Sequence, residues 1–375
     1  MKTYSDLDRA IEAHMQAHRI VGLAACRLQD GQIVWANGYG WADIANRKPM
    51  TPDVILNIGS ISKTFTCTAL MQLWEQGKFQ LDDPVNGYLP FKVRHPLHTN
   101  PITFRHLLTH TSAIQDSPAN ETSYSVGDPV IALGDWLQDY LTPEGKYYEA
   151  EENFLPYAPG ADWNYCNVAF GLLGYLCECL SGEPLFQYTR RCLFEPLGML
   201  NTGWMLKDIE LTNHAIPYGL PELASMYASL CAEQASPATS APIPLRLYSF
   251  PNYPDGLVRT SARQLAMFGA VFTASGEQQG YPLLKAATVQ RCFSREWSAQ
   301  NPNGISGIQG LAWHSLPQPD GACVWEHTGG DPGINTCLAV RPEDGAGIVI
   351  LTNTNHTPES MNALAHMLWK IEVYR

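Results

Sequence analysis

Basic residues are scarce in this chain of 375 residues: 24 Lys and Arg stand against 36 Asp and Glu, for a net charge of −12. Binding nucleic acid means neutralising phosphates with a basic patch, and none is visible, which argues against that partner. Charged residues of either sign make up only 16% of the chain, too few for a disordered or coiled-coil protein. No apolar run approaches the length of a membrane span. The first residues, Met1-Lys2-Thr3-Tyr4-Ser5-Asp6, show neither the apolar segment nor the small-residue cleavage site of a signal peptide. The expectation is a cytoplasmic protein with no membrane partner. Ten cysteines are present, but none forms the CxxC pairs of a zinc or redox site. They are expected to be free, mostly buried thiols. His106 and His110 have the i, i+4 spacing of a zinc helix, but the Glu of H-E-x-x-H is missing. No metal and no cofactor is expected. Internal repeats and low-complexity tracts are absent as well.

Apolar residues, in contrast, are plentiful at 45%, enough for a large core and for two subdomains around one site. Residues 5–18 read as a helix, 21–28 and 33–39 as strands joined by a tight turn at Asp30-Gly31. The other end mirrors this, with strands at 336–340 and 346–351, a turn at Glu343-Asp344-Gly345 and a helix over 358–373. Two hairpins and two terminal helices suggest an antiparallel sheet with helices packed on it. The middle is helical and broken by Pro and Gly. Thr103 reads as an N-cap, 168–180 as an apolar helix closed by Ser181-Gly182, and 262–272 as another helix. Residues 232–244, rich in Ala, Ser and Pro, read as a loop.

Three short motifs carry chemistry. Ser60-x-x-Lys63 stands at a loop-to-helix junction, in a helix that runs to about Gly77. A spacing of three puts Lys63 on the face of Ser60, one turn on. Free N–H groups and the positive end of the helix dipole lie beside the serine, and an amine can take or hold its proton. The competing reading is a plain N-cap serine. The second motif is Tyr165-Cys166-Asn167, before the apolar helix. A lysine nearby would lower a tyrosine pKa, so Tyr165 could shuttle a proton. Asn167 offers a donor and an acceptor to a substrate amide. The competing reading is an Asn N-cap beside a half-buried Tyr. The third is His327-Thr328-Gly329-Gly330, just before a strand. Glycines admit a close backbone approach, and the Gly330 N–H could pair with that of Ser60 as an oxyanion hole. His327 offers a donor, and in some states a positive charge, at the edge of the site. Here the competing reading is a surface His on a Gly-rich turn.

Taken in that order, S-x-x-K, Y-x-N and H-T-G resemble the serine β-lactamase and penicillin-binding-protein superfamily. The likeness is greatest to class C β-lactamases, D-aminopeptidases, D-Ala-D-Ala carboxypeptidases of the His-Thr-Gly type and related esterases. Supporting phrases are Ile102-Thr103-Phe104-Arg105-His106-Leu107-Leu108-Thr109-His110-Thr111-Ser112, Phe194-Glu195-Pro196-Leu197-Gly198-Met199 and Gly310-Leu311-Ala312-Trp313. The resemblance implies an α/β sandwich, an antiparallel sheet flanked by helices, plus an inserted all-α domain. Residues 1–80 and 305–375 would form the discontinuous sheet domain and 81–304 the insertion.

By the same resemblance Ser60 attacks a carbonyl to give an acyl-enzyme, and Lys63 and Tyr165 share the proton work. The Ser60 and Gly330 N–H groups hold the oxyanion, while Asn167, His327 and Thr328 bind substrate. Many β-lactamases carry Lys where His327 stands, so a substrate carboxylate would meet less charge here. Cys166 stands where relatives often have Ser or Ala, and reads as a filler. The expected function is a serine hydrolase or acyltransferase acting on a small-molecule ester, amide or peptide, with small esters and D-amino-acid peptides favoured. A class C-like β-lactamase is the alternative within that class. A catalytically silent binding or scaffold protein is the alternative outside it.

Overall fold

The protein is described by a computed structural model covering residues 4–231, 241–278, 280–298, 307–317 and 323–371. The chain opens with helix α1 (Tyr4–Ala17), strand β1 (Gly22–Gln29), strand β2 (Gln32–Asp43) and a short strand β3 (Lys48–Pro49). Asp30 and Gly31 link β1 to β2 with φ of 50° and 73°, the left-handed pair that suits the twist of a two-residue hairpin. Next come helix α2 (Ser62–Glu75), helix α3 (Phe104–Leu108), helix α4 (Asn167–Ser181) and helix α5 (Ala262–Thr273). The chain then returns to the sheet through β4 (Trp297–Ser298), β5 (Ile308–Gln309), β6 (His314–Pro317), β7 (Cys323–Asp331), β8 (Ile334–Arg341) and β9 (Ala346–Thr352), and ends in helix α6 (Pro358–Trp369).

These strands make one nine-stranded antiparallel sheet in the order β4-β5-β6-β7-β8-β9-β1-β2-β3. The two ends of the chain therefore meet in mid-sheet, where β1 pairs with β9 from Leu23–Thr352 to Gln29–Ala346. Alternation along β1 explains the layers. Leu23 and Ala25 face α1 and α6 with Ile11, Met15, Ile350, Met361 and Leu364. Ala24, Cys26 and Leu28 face the opposite way, into the core shared with Leu265 and Phe268 of α5. Helices thus cover both faces, and all seven residues of β9 are buried. Burying one such Ile or Leu is worth about 1.5–3 kcal/mol, so a charge at Ile350 would break this layer.

Helix α5 falls inside 81–304 in sequence yet packs on the sheet against β1 and β9. The helical middle also carries short two-stranded ribbons, Ser125–Val126 with Tyr248–Ser249 and Tyr218–Gly219 with Ile243–Pro244. The last of these is the end of the stretch read as a loop, whose residues 232–240 lie outside the described residues. Thr103 caps α3, accepting from the His106 N–H, while His106 returns a bond to the Thr103 N–H. Helix α4 ends at Gly182, in the left-handed conformation expected of a C-terminal cap. Its N-cap is Cys166, whose sulfur accepts the Ala169 N–H, rather than Asn167. Among the described residues no helix is long and apolar enough to cross a membrane.

Candidate active site

A 3₁₀ turn at Gly59–Ile61 feeds directly into α2, and neither start has a side-chain cap. Ser60 is therefore no N-cap. Its hydroxyl instead accepts from Lys63 Nζ at 2.9 Å. Lys63 is fully buried and also donates to Asn167 Oδ1 at 2.7 Å and to the Asp255 carbonyl at 2.8 Å. Three acceptors for three hydrogens suit an ammonium. Burial alone would push Lys63 down, but attraction to Tyr165, Asp255 and Asp116 outweighs it, and the net shift is upward.

Tyr165 reaches the same point from the loop before α4. The residue is 36% exposed, with Lys63 Nζ 5.0 Å from the ring centre, while the hydroxyl faces Ser60 and Lys63. Lys63 does pull the phenol down, as the sequence suggested, but desolvation is the larger effect and the net shift is upward. At rest both partners hold their protons. His110 stacks on the Tyr165 ring at 4.4 Å, and its Nδ1 accepts the Cys166 N–H at 3.1 Å. The residue singled out for i, i+4 spacing with His106 is thus a brace for Tyr165. Among the described residues no cluster could hold a metal.

Asn167 has both ends of its amide engaged. The oxygen faces Lys63, and Nδ2 donates to Asp116 Oδ2 at 2.8 Å. Asp116 also accepts the N–H groups of Asn167 at 2.8 Å and Val168 at 3.0 Å, a carboxylate at the positive end of α4. This residue escaped the sequence reading, and so did Asp255.

The third motif lies on β7. His327 is 2% exposed, so it is no surface residue. Its Nδ1 lies 2.8 Å from the Thr328 carbonyl, which makes Nδ1 the donor and leaves a lone pair on Nε2. Burial, with His314 and Lys63 nearby, holds it well below the usual histidine range. The positive charge the sequence allowed is therefore absent at neutral pH. Thr328 is exposed. Gly329 and Gly330 let β7 meet the serine turn. A Cβ on Gly329 would stand 2.1 Å from the Ile58 carbonyl oxygen, and one on Gly59 3.0 Å from Gly330 N.

Two cavities open from Ser60, Tyr165 and Gly330. The larger, about 650 Å³, is walled by Tyr124, Phe250, Asp255 and Asp331. The smaller, about 320 Å³, is lined by His110, Trp163, His314, His327 and Thr328. Among the aromatic side chains, Tyr124, Phe250 and Trp163 line these cavities, while Tyr218 and Tyr253 are buried elsewhere.

A family model described as Beta-lactamase matches residues 7–371. The chain belongs to the beta-lactamase family. Among curated relatives of this family member is a beta-lactamase of Pseudomonas fluorescens, 27% identical over 96% of both chains. Esterase EstB of Burkholderia gladioli is 32% identical over 59% of this chain, and the match spans 56% of that enzyme's length. The putative penicillin-binding protein PbpX of Bacillus subtilis (strain 168) is 27% identical over 72% of this chain and 66% of its own. The chain thus spans little more than half of the length of esterase EstB. Among solved structures, the octameric penicillin-binding protein homologue from Pyrococcus abyssi superposes with a TM-score of 0.76 at 24% identity, covering 98% of this chain and 78% of that one. EstCE1, a hydrolase with promiscuous acyltransferase activity, gives 0.73 at 21%, covering 97% and 98%. At these identities the likeness is one of fold: a large antiparallel sheet with helices.

Proposed function

We propose that this protein is a serine hydrolase or acyltransferase that works through an acyl-enzyme on Ser60. The observation that carries this reading is the 2.9 Å contact of Lys63 Nζ with Ser60 Oγ at the floor of two cavities. Ser60 Oγ bonds to the carbonyl carbon of an ester or amide while the Ser60 proton passes to the Lys63–Tyr165 pair, which acts in the form that has first given up one proton to solvent. The bond to the leaving alcohol or amine then breaks, and the pair returns the proton to it. Water, or another alcohol or amine, releases the acyl group by the reverse exchange. Coupling through Ser60 makes Lys63 and Tyr165 titrate together, so one macroscopic base is assigned rather than one residue. The N–H groups of Ser60 and Gly330 take the oxyanion, a role favoured by the close approach of β7 to the serine turn.

Asn167 acts first as the acceptor that fixes Lys63 and contacts substrate only at its edge. Thr328 is the exposed hydroxyl of the smaller cavity, and His327 presents an acceptor there. A neutral His327 offers a carboxylate no charge, so small esters and D-amino-acid peptides are favoured over β-lactams.

Intact-mass spectrometry after exposure to a fluorophosphonate, beside Ser60→Ala, tests the reading. One adduct that disappears in the variant is expected. A folded protein that takes no adduct would leave a non-catalytic binding role in its place. A penicillin run in parallel is expected to acylate slowly or not at all.

A further inference from the structure

The two cavities differ in charge. Asp331, the last residue of β7, lines the larger one and has only neutral donors: the Tyr124 hydroxyl on Oδ1 at 2.5 Å and Asn57 Nδ2 on Oδ2 at 3.3 Å. Among the described residues it forms no ion pair. The nearby cations are committed elsewhere. Lys63 donates to a hydroxyl, an amide and a backbone carbonyl, and Arg259 to the carbonyls of Trp204, Leu257 and Tyr248 and to the Ser249 hydroxyl.

Asp255 lines the same cavity and is 6% exposed. Asn252 donates to its Oδ2, and among the described residues Oδ1 has no hydrogen-bond partner. The two carboxyls are neighbours. A Cβ built on Gly256 would stand 3.4 Å from Asp331 Oδ2 and 3.9 Å from the Gly59 carbonyl carbon, beside the nucleophile. Tyr124 and Phe250 add aromatic rings to the wall, 4.9 Å apart and edge to face. No Lys or Arg lines this cavity among the described residues. A carboxylate without a cation, a second carboxyl on the cavity wall and aromatic walls are the chemistry of an ammonium site.

We infer that the larger cavity selects substrates carrying an ammonium group, seated on Asp331 with Asp255 behind it. This deepens, and rests on, the acyl-transfer reading of the same site. Other charges face the pair. Burial pushes Asp331 up to about 6, while the Tyr124 hydrogen bond, Lys63, Asn57 and Arg259 pull the other way, so the carboxylate is ionised at neutral pH. Burial, with Asp331 and Asp116 adding to it, holds Asp255 well above the usual carboxylate range despite Lys63. An arriving ammonium would draw its proton off.

The test compares nitrophenyl esters of aminohexanoate, heptanoate and hydrogen adipate, of similar length and carrying positive, no and negative charge. The expected order of kcat/KM is ammonium, neutral, carboxylate, with about tenfold between the first two, the value of a charge-assisted contact. Asp331→Asn is expected to lower the ammonium ester about tenfold more than the neutral one. A role for Asp331 only as a distant counterion of Lys63 would lower both alike. A second measurement uses the unaltered protein: hexylammonium is expected to slow fluorophosphonate labelling of Ser60, and hexanol at the same concentration much less. Equal kcat/KM for the ammonium and neutral esters, or equal effects of the two competitors, overturns the inference while leaving the nucleophile in place. Absence of any Ser60 adduct overturns instead the reading on which it rests.

Discussion

Asp116 holds Asn167 by its backbone N–H and its side-chain Nδ2, each at 2.8 Å. That double grip turns the Asn167 oxygen toward Lys63, so the catalytic ammonium is aimed by a carboxylate it does not touch. Asp116→Asn keeps the shape but sets an NH₂ against N–H donors. The expected result is a drop in kcat of roughly tenfold to a hundredfold, with little change in KM, from the loss of about 1.5–3 kcal/mol in charge-assisted bonds. Steady-state kinetics on a nitrophenyl ester checks it. An unchanged kcat would mean that Asn167 keeps its pose unaided.

Gly329→Ala places a Cβ 2.1 Å from the Ile58 carbonyl oxygen and 2.3 Å from Thr336 Oγ1. Both are held, since Thr336 Oγ1 donates to that same carbonyl at 2.7 Å. Strand β7 must move off the serine turn, separating the two N–H groups assigned to the oxyanion. Fluorophosphonate labelling is expected to slow by about a hundredfold, the scale of one lost oxyanion donor. Gly87→Ala, where nothing lies within 4 Å of the new methyl, is the control and should label at the normal rate.

Lys63→Met removes the donor that satisfies Asn167 Oδ1 and the Asp255 carbonyl. Activity is expected to fall by at least about a thousandfold, because proton transfer and positioning go together. Stability should fall too, by about 1–3 kcal/mol for each buried acceptor left open. Urea denaturation separates the two effects. Activity loss with no change in midpoint would show that the amide and carbonyl find other donors.

Acid should destabilise the fold through its buried histidines. Burial lowers His214 to about 3 and His356 to about 4, and holds His110 and His327 well below their ordinary range. A lowered folded-state pKa means the unfolded chain binds the proton first. Stability is therefore full above about 6.5, the unfolded value, and is lost as pH falls from there toward about 4 and below. Asp331, raised to about 6, works with the opposite sign over part of that range and offsets a share. Denaturation midpoints at neutral and mildly acid pH check the direction, and His356→Gln should flatten the slope.

Much of this was legible in the residues because it is local. Asp30-Gly31 announced the first hairpin, Thr103 its helix cap and Gly182 the end of α4, since each depends on neighbours a few positions away. Ser60 and Lys63 were legible for the same reason: one helical turn joins them. Tyr165 could be named, but not its resting proton, because the balance between Lys63 and desolvation depends on what covers the hydroxyl. His327 could be named as a residue of the site, but not its burial, and a surface position stood as the competing reading. It is buried with the rings of Tyr165 and His314 beside it, and no pattern along β7 shows that covering.

The sequence by itself determined the alternation that layers the sheet, the turn that couples Ser60 to Lys63, and the glycines that admit β7 to the nucleophile. All are short-range or steric properties of the residues. Only the tertiary structure decided the charges around them. Asp116 meets Asn167 across 51 residues, Lys63 meets the Asp255 carbonyl across 192, and Asp331 meets Asn57 across 274. A carboxyl in a loop carries no spacing signature. Its effect on a site comes from distance and desolvation, and folding alone sets both.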